Sequence, residues 1–146
     1  MRKTICILID NEFTNDMRVQ RNAVALSENG WLVTVLAVKT EGLPEKDTVA
    51  GLQVERIIPP ESLNIRKSKL RKSLARVIAE RKFSVVHCND HIMLDLGVMV
   101  KRINNQTTLI YDAHELLKYW PTFFSPETSF INRIKTQIIR KIEIIR

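Results

Sequence analysis

The chain has 146 residues, 45% hydrophobic and 27% charged, which is enough to bury about 70% of the surface its unfolded form would expose and to support one ordinary core. Only four glycines and five prolines occur, with no Gly/Ser linker, low-complexity tract or solenoid repeat, so a second domain has no room. Lys and Arg total 23 against 16 for Asp and Glu; the balance of +7 favours anionic partners without choosing among nucleic acid, phospholipid and phosphorylated small molecules.

The first predicted element is a strand at residues 4–9, and Ile5 to Ile9 is the longest uninterrupted apolar run in the chain. It is far short of the roughly 20 residues of a membrane-spanning helix, and no small-residue cleavage site follows it, so a cytoplasmic protein is expected. A helix then starts at Asp16, a residue suited to the N-cap, and places Val19, Ala23 and Leu26 on one face. It stops at Asn29-Gly30, where glycine can take the left-handed cap. A second strand is read at 32–38. The connection 39–51 carries Gly42, Pro44 and Gly51 and no helical period, yet it is long enough to cross between parallel strands. The third strand, 52–58, is given no direction.

A second helix over 64–82 puts Leu70, Leu74, Val77 and Ile78 on a core-facing stripe, with Arg66, Lys67, Lys69, Arg71, Lys72 and Arg76 covering the rest. The fourth strand, 83–88, leads into a third helix over 90–103 with Ile92, Leu96, Met99 and Ile103 inward, and a fifth strand occupies 107–112. Ser125-Pro126-Glu127 then reads as an N-cap with proline in the first helical position, opening a helix with Ile131, Ile134, Ile138, Ile142 and Ile145 on one face. That pattern reaches Arg146 without a stop signal, so the natural chain is expected to continue. Cys6 and Cys88 fall inside apolar strands and read as buried free thiols.

Continuous Val/Ile/Leu strands alternating with helices predict an α/β fold: a three-layer, Rossmann-like, doubly wound and mainly parallel sheet of strand order 3-2-1-4-5. The order reverses between strands one and four, where such sheets bind ligands. The residues after strands one, four and five gather on that edge. They are Asp10, Asn11, Glu12, Thr14 and Asn15; His87-Cys88-Asn89-Asp90-His91; and Asp112-Ala113-His114-Glu115, a set that holds all three histidines. Singly, each has a structural explanation: Asp16 and Asp90 as N-caps, His87 as a hydrogen-bonded core residue, Asp112 bonding loop amides. Their clustering points to a cleft.

Histidine moves a proton near neutral pH, and His114 beside Glu115 has the chemistry of a general base or hydroxyl-orienting group. The cluster lacks a compact metal-ligand spacing, and no serine or cysteine stands in a nucleophile elbow. Residues 10–16 contain no glycine, which argues against a nicotinamide or flavin enzyme and against a P-loop nucleotidase.

Three stretches carry a family resemblance: Asn15-Asp16-Met17-Arg18-Val19-Gln20-Arg21 with Asn22-Ala23-Val24-Ala25-Leu26 and Gly30; Val85-Val86-His87-Cys88-Asn89-Asp90; and Leu109-Ile110-Tyr111-Asp112-Ala113-His114-Glu115. In this order and at these separations the chain resembles glycosyltransferase family 4. The resemblance implies a GT-B fold, two Rossmann-like domains facing across a cleft, with residues 1–146 as the N-terminal, acceptor-side domain and the C-terminal nucleotide-sugar-binding domain absent from this chain. For the full-length protein it implies a hexosyltransferase that retains configuration and passes a sugar from a nucleotide-sugar to a cell-surface glycan or lipid-linked acceptor in polysaccharide biosynthesis. The fragment alone would be inactive. No cofactor is implied beyond the nucleotide-sugar as co-substrate.

By position, the resemblance makes His114 the catalytic histidine near the reacting sugar and places Asp90 and Glu115 among acceptor or loop contacts. Arg18 and Arg21 match the family's basic pair, and His87, Asn11 and Asp16 complete the substrate-binding set from the edge cluster. The glycines that many members have after strand one are missing here. The basic face of helix 64–82 gains a candidate partner, anionic lipid at the inner membrane face, where each nearby Lys or Arg contributes about 1 kcal/mol. The alternative is a non-catalytic flavodoxin-like or receiver-like module, but His114-Glu115 stands where a receiver has its lysine. No nucleic-acid partner is expected, since a recognition helix and stacking aromatics are lacking.

Overall fold

The computed structural model describes residues 3–64 and 66–113. Six strands, β1 (Thr4–Leu8), β2 (Leu32–Val38), β3 (Lys46–Val49), β4 (Leu52–Ile58), β5 (Val85–Asn89) and β6 (Thr108–Asp112), accompany three helices, α1 (Met17–Glu28), α2 (Ser68–Glu80) and α3 (Asp90–Ile103). The two most completely buried strands, β1 and β2, take the middle. β1, buried at every residue after Thr4, lies parallel to β2 on one side and β5 on the other, because only a central position hides both faces of such a run. β4 extends the parallel sheet beyond β2, and β6 extends it beyond β5.

α1 packs on β2 and β4 over one face, and α3 packs on β5 and β6 over the other with α2 beside it. Each face has its own apolar cluster, one centred on Ile7, Val19 and Val35, the other on Leu8, Leu36, Ile78 and Leu96. Burial of each such side chain contributes about 1.5–3 kcal/mol. This is the three-layer, doubly wound arrangement expected, and its parallel part, β4-β2-β1-β5-β6, is the expected order 3-2-1-4-5. The strand at 52–58 is parallel.

The structure adds one strand and corrects two helix faces. β3 pairs antiparallel with β4 at the sheet edge, through a two-residue turn in which Ala50 and Gly51 have φ of 51° and 79°. Both central residues at positive φ give the turn whose twist suits a hairpin. α1 agrees with expectation: the Asp16 carboxylate accepts from the Val19 amide at 3.0 Å, and Gly30, at φ 81°, follows the C-cap Asn29.

α2 starts at Ser68, later than expected, and a 3-10 turn, Pro60–Leu63, precedes it. Arg71, read as part of the basic outer face, is 1% exposed. Its guanidinium donates to Asp95 (Nε, 3.1 Å), to the Ile92 carbonyl (Nη2, 2.7 Å) and to the Ser62 carbonyl, so the buried charge is paired and its donors are used. Val77, read as core-facing, is 48% exposed instead, and Ala75 and Ala79 fill the stripe beside Leu74 and Ile78. α3 has the expected span but is rotated by about one position: Met93, Leu96, Gly97 and Val100 are buried, and Ile103 is exposed. Gly97 explains the rotation. A Cβ there would stand 2.2 Å from Cys88 Sγ and 2.8 Å from a Leu109 methyl, so this face alone lets the helix approach β5 and β6 closely. The helix read from Ser125 lies outside the described residues. Among those described, no helix is long and apolar enough to cross a membrane.

Candidate functional site

All parallel strands end on one edge, and the polarity rises where they do. The loop after β1 is built by its own side chains. Asn11 Oδ1 accepts from the Phe13 amide at 2.9 Å, Asn11 Nδ2 donates to Asp16 Oδ2 at 3.1 Å, and the Asn11 carbonyl accepts from the Val38 amide at 2.9 Å. Phe13, at φ 58° and 2% exposed, plugs the loop into the core. Asp16 thus caps α1 with one oxygen and holds Asn11 with the other. Beneath the loop, Arg56 is 2% exposed and donates to the carbonyls of Glu12 (2.9 Å) and Pro44 (3.0 Å) and to Asp47 (3.1 Å). This arginine escaped the sequence reading; its signal was a lone cation at an inward position of an alternating strand.

Across the edge, Asp112 at the end of β6 meets residues from two other elements. Its Oδ2 lies 3.4 Å from Arg18 Nη1 on α1 and 3.9 Å from His87 Nε2 on β5. His87, whose side chain is 13% exposed, pairs in register with Ile7 and Ile110, so it is fixed by the sheet. Asp112 thus stands between β5, β6 and α1.

Asp10 marks the middle of the edge. Burial, chiefly, and then the nearby Asp90 and Asp16 carboxylates hold its pKa above the ordinary 3.8, against the opposing pull of its own backbone amide and His91. Asp90 is the first residue of α3 but not its cap; Asn89 holds that position without a side-chain cap bond, and Asp90 itself sits at φ 66°. A left-handed aspartate costs about 1–2 kcal/mol, which the fold must supply elsewhere. Asn89 is 2% exposed and donates to the Leu8 carbonyl at 3.4 Å, while its Oδ1 has no hydrogen-bond partner among the described residues.

The expected site residues therefore sort as follows. Asn11 and Asp16 share one loop; Arg18 and His87 meet at Asp112; Asp90 faces Asp10. Arg21 is exposed one turn further along α1, and no described contact draws it into the cluster. His114 and Glu115 lie outside the described residues, two and three positions after Asp112. Burial pushes the Cys88 thiol up to about 12 and the Cys6 thiol upward as well, so neither is a thiolate near neutral pH. Among the described residues, no three His, Cys, Asp or Glu side chains are grouped to hold a metal ion.

An open depression of about 450 Å³ on this edge is lined by Asn11, Glu12, Thr14, Asp16, Met17 and Arg18. Its lining is polar and offers both acceptors and a cation, the inventory that binds hydroxyl-rich molecules. A larger depression of about 580 Å³ runs along β3 and β4 past Lys46, Asp47 and Glu55, but it lies far from the reversal of strand order. Position and convergence favour the first.

Comparisons with known proteins bear on the fold and the family. No curated protein matches the chain. Among solved structures, sucrose-phosphate synthase from Thermosynechococcus elongatus superposes with a TM-score of 0.64 at 17% identity, over 93% of this chain and 39% of that one. A second, twinned structure of that synthase matches with a TM-score of 0.49 at 18% identity, over 75% of this chain and 64% of that one. The first shows a common fold, and the present chain spans 39% of that relative's length. The profile of Glycosyltransferase Family 4 matches residues 17–145. On that match, and with a Rossmann-like sheet that is one half of a GT-B fold, the chain belongs to glycosyltransferase family 4.

Proposed function

We propose that this chain is the N-terminal, acceptor-side domain of a retaining glycosyltransferase of hexosyltransferase type. The enzyme moves a sugar from a nucleotide-sugar onto a hydroxyl of a cell-surface glycan or lipid-linked acceptor. One observation carries the reading: polar groups from β1, α1, β5, α3 and β6 converge on the carboxyl edge, where the strand order reverses. In the reaction the sugar-phosphate bond breaks, the nucleoside diphosphate leaves with its electron pair, and the acceptor oxygen forms the new bond on the same face while its proton departs. Asn11 and Asp16 offer acceptors to donor or acceptor hydroxyls, and Arg18, set by Asp112, offers a cation to negative charge on the substrate. His114, two residues beyond Asp112, is assigned to orient the reacting hydroxyl, with Glu115 beside it. The nucleotide-sugar is the only co-substrate required, and a second Rossmann-like domain holds it. Family membership and the histidine in the receiver-lysine position both disfavour the receiver-like alternative.

The test uses the full-length protein with a panel of nucleotide-sugars and a membrane and glycan extract as acceptor source. Release of nucleoside diphosphate coupled to sugar incorporation is expected for one donor, and calorimetry of residues 1–146 alone is expected to show no tight nucleotide-sugar binding. Tight donor binding by this chain alone would reverse the assignment of acceptor and donor sides.

A further inference from the structure

Arg56 directs a buried charge at a loop rather than at the core around it. Its side chain, 2% exposed, lies on the inward row of β4 with Leu52 and Val54, a row where an apolar residue would pack as well. A charge so buried needs partners to offset its lost hydration, and a well-packed apolar side chain often serves stability equally. What the arginine adds is a planar fork that reaches three segments at once. Nε donates to the Glu12 carbonyl in the loop after β1 at 2.9 Å, and Nη1 donates to the Pro44 carbonyl at 3.0 Å and to Asp47 on β3 at 3.1 Å.

The strand is shaped to aim this fork. Ala37 of β2 pairs with Arg56 and Val38 with Ile58, so Ile57 is an extra residue directly after the arginine. Such a bulge bends its strand and re-aims a side chain, and bulges gather beside functional sites. The loop leans over the end of β2, where the Val38 amide donates to the Asn11 carbonyl, and it meets Arg56 there. Residues 10–16 contain no glycine, and Phe13 takes the left-handed φ of 58°. That conformation persists only where neighbours hold it. Phe13 is held by the core, Asn11 by Val38 and Asp16, and the Glu12 carbonyl between them by Arg56. With its carbonyl drawn inward, Glu12 accepts from the Thr14 hydroxyl at 2.9 Å and lines the depression with Asn11 and Asp16.

We infer that Arg56, itself set by Asp47, is a positioning residue of the candidate site: it fixes the loop 10–16 from beneath and so places the Asn11, Glu12 and Asp16 oxygens for the hydroxyls of the acceptor. The acceptor half of this statement rests on the function proposed above; the anchoring of the loop does not. A misplacement of about 1 Å can lower a rate by about a hundredfold, so a side chain that never touches substrate governs transfer through the groups it holds.

The test compares the full-length protein with its Arg56→Met, Arg56→Lys and Asp47→Ala variants, and with Val33→Ala as a core variant at the opposite end of the sheet. Hydrogen–deuterium exchange is read on peptides spanning residues 10–19 and on peptides from β1 and β2. In Arg56→Met the loop should exchange about tenfold faster or more, while β1 and β2 keep their protection. Sugar transfer is read with the acceptor extract varied at saturating nucleotide-sugar, and then the reverse. Half-saturation by the extract should rise about tenfold, and the KM for nucleotide-sugar should stay within about twofold. Arg56→Lys keeps the charge but not the fork and should fall between Arg56→Met and the wild type; Asp47→Ala should move both readouts in the same direction. Val33→Ala should lower stability and move neither. Should Arg56→Met fail to fold, the lysine and alanine variants decide alone. Loop exchange at the wild-type rate, equal loss of protection throughout the sheet, or donor and acceptor half-saturation rising together would each overturn the inference. Faster loop exchange in the variants of a protein that transfers no sugar would uphold the anchoring and overturn the proposed function.

Discussion

Asp10 shows how much of the candidate site depends on single groups. Its carboxyl is partly withdrawn from water and faces Asp90 and Asp16, so its pKa is raised in the folded protein. The unfolded chain then loses this proton at a lower pH than the folded one, and stability falls as pH rises from the ordinary 3.8 through the folded value. Asp10→Asn should therefore be more stable than the wild type at neutral pH and should show a flatter stability profile through that acid window. Urea denaturation across a pH series measures this; parallel profiles for the two proteins would contradict it. At this scale the sequence was a partial guide. Asp16 was readable as a cap because an aspartate stood before an amphipathic run. Arg71 and Asp112 were not, since their partners, Asp95 and His87, are 24 and 25 positions away, beyond any local period.

At the scale of elements, α3 packs closely on the sheet at Gly97. Adding a Cβ at Gly97 puts it 2.2 Å from Cys88 Sγ, so Gly97→Ala should destabilise the fold by about 2 kcal/mol despite alanine's better helix propensity. Cys88→Ala removes the sulfur and should recover part of the loss, with a coupling of about 1 kcal/mol or more in a double-mutant cycle by urea denaturation. Additive effects would show that the helix simply shifts. The span of α3 was legible from its apolar period, but its rotation was not: a glycine reads as neutral in a periodicity count, although here it sets the side that can approach the sheet. β3 escaped for a related reason. The turn Ala50-Gly51 carries alanine at a positive φ, where the strong hairpin signals are Asn-Gly or Asp-Gly, and Lys46 and Asp47 give the strand no apolar alternation.

The order of the parallel strands was legible in advance because few topologies survive once helices alternate with apolar strands and crossovers are right-handed. The place of the candidate site follows from it, since a sheet of this order has one reversal, flanked by β1 and β5. Arg18, His87 and Asp90 stand on that edge, and the chemistry proposed for them, as for His114 and Glu115, is assigned by position. The most direct measurement is kcat/KM for sugar transfer by the full-length protein carrying substitutions at the two edges of the sheet. Asp16→Ala, Arg18→Ala and His114→Ala should each lower it by roughly tenfold or more, as expected for groups that position or activate substrate, whereas Leu32→Ser at the opposite edge should leave it near wild type. Wild-type transfer in all three carboxyl-edge variants would contradict the assignment of this edge to catalysis.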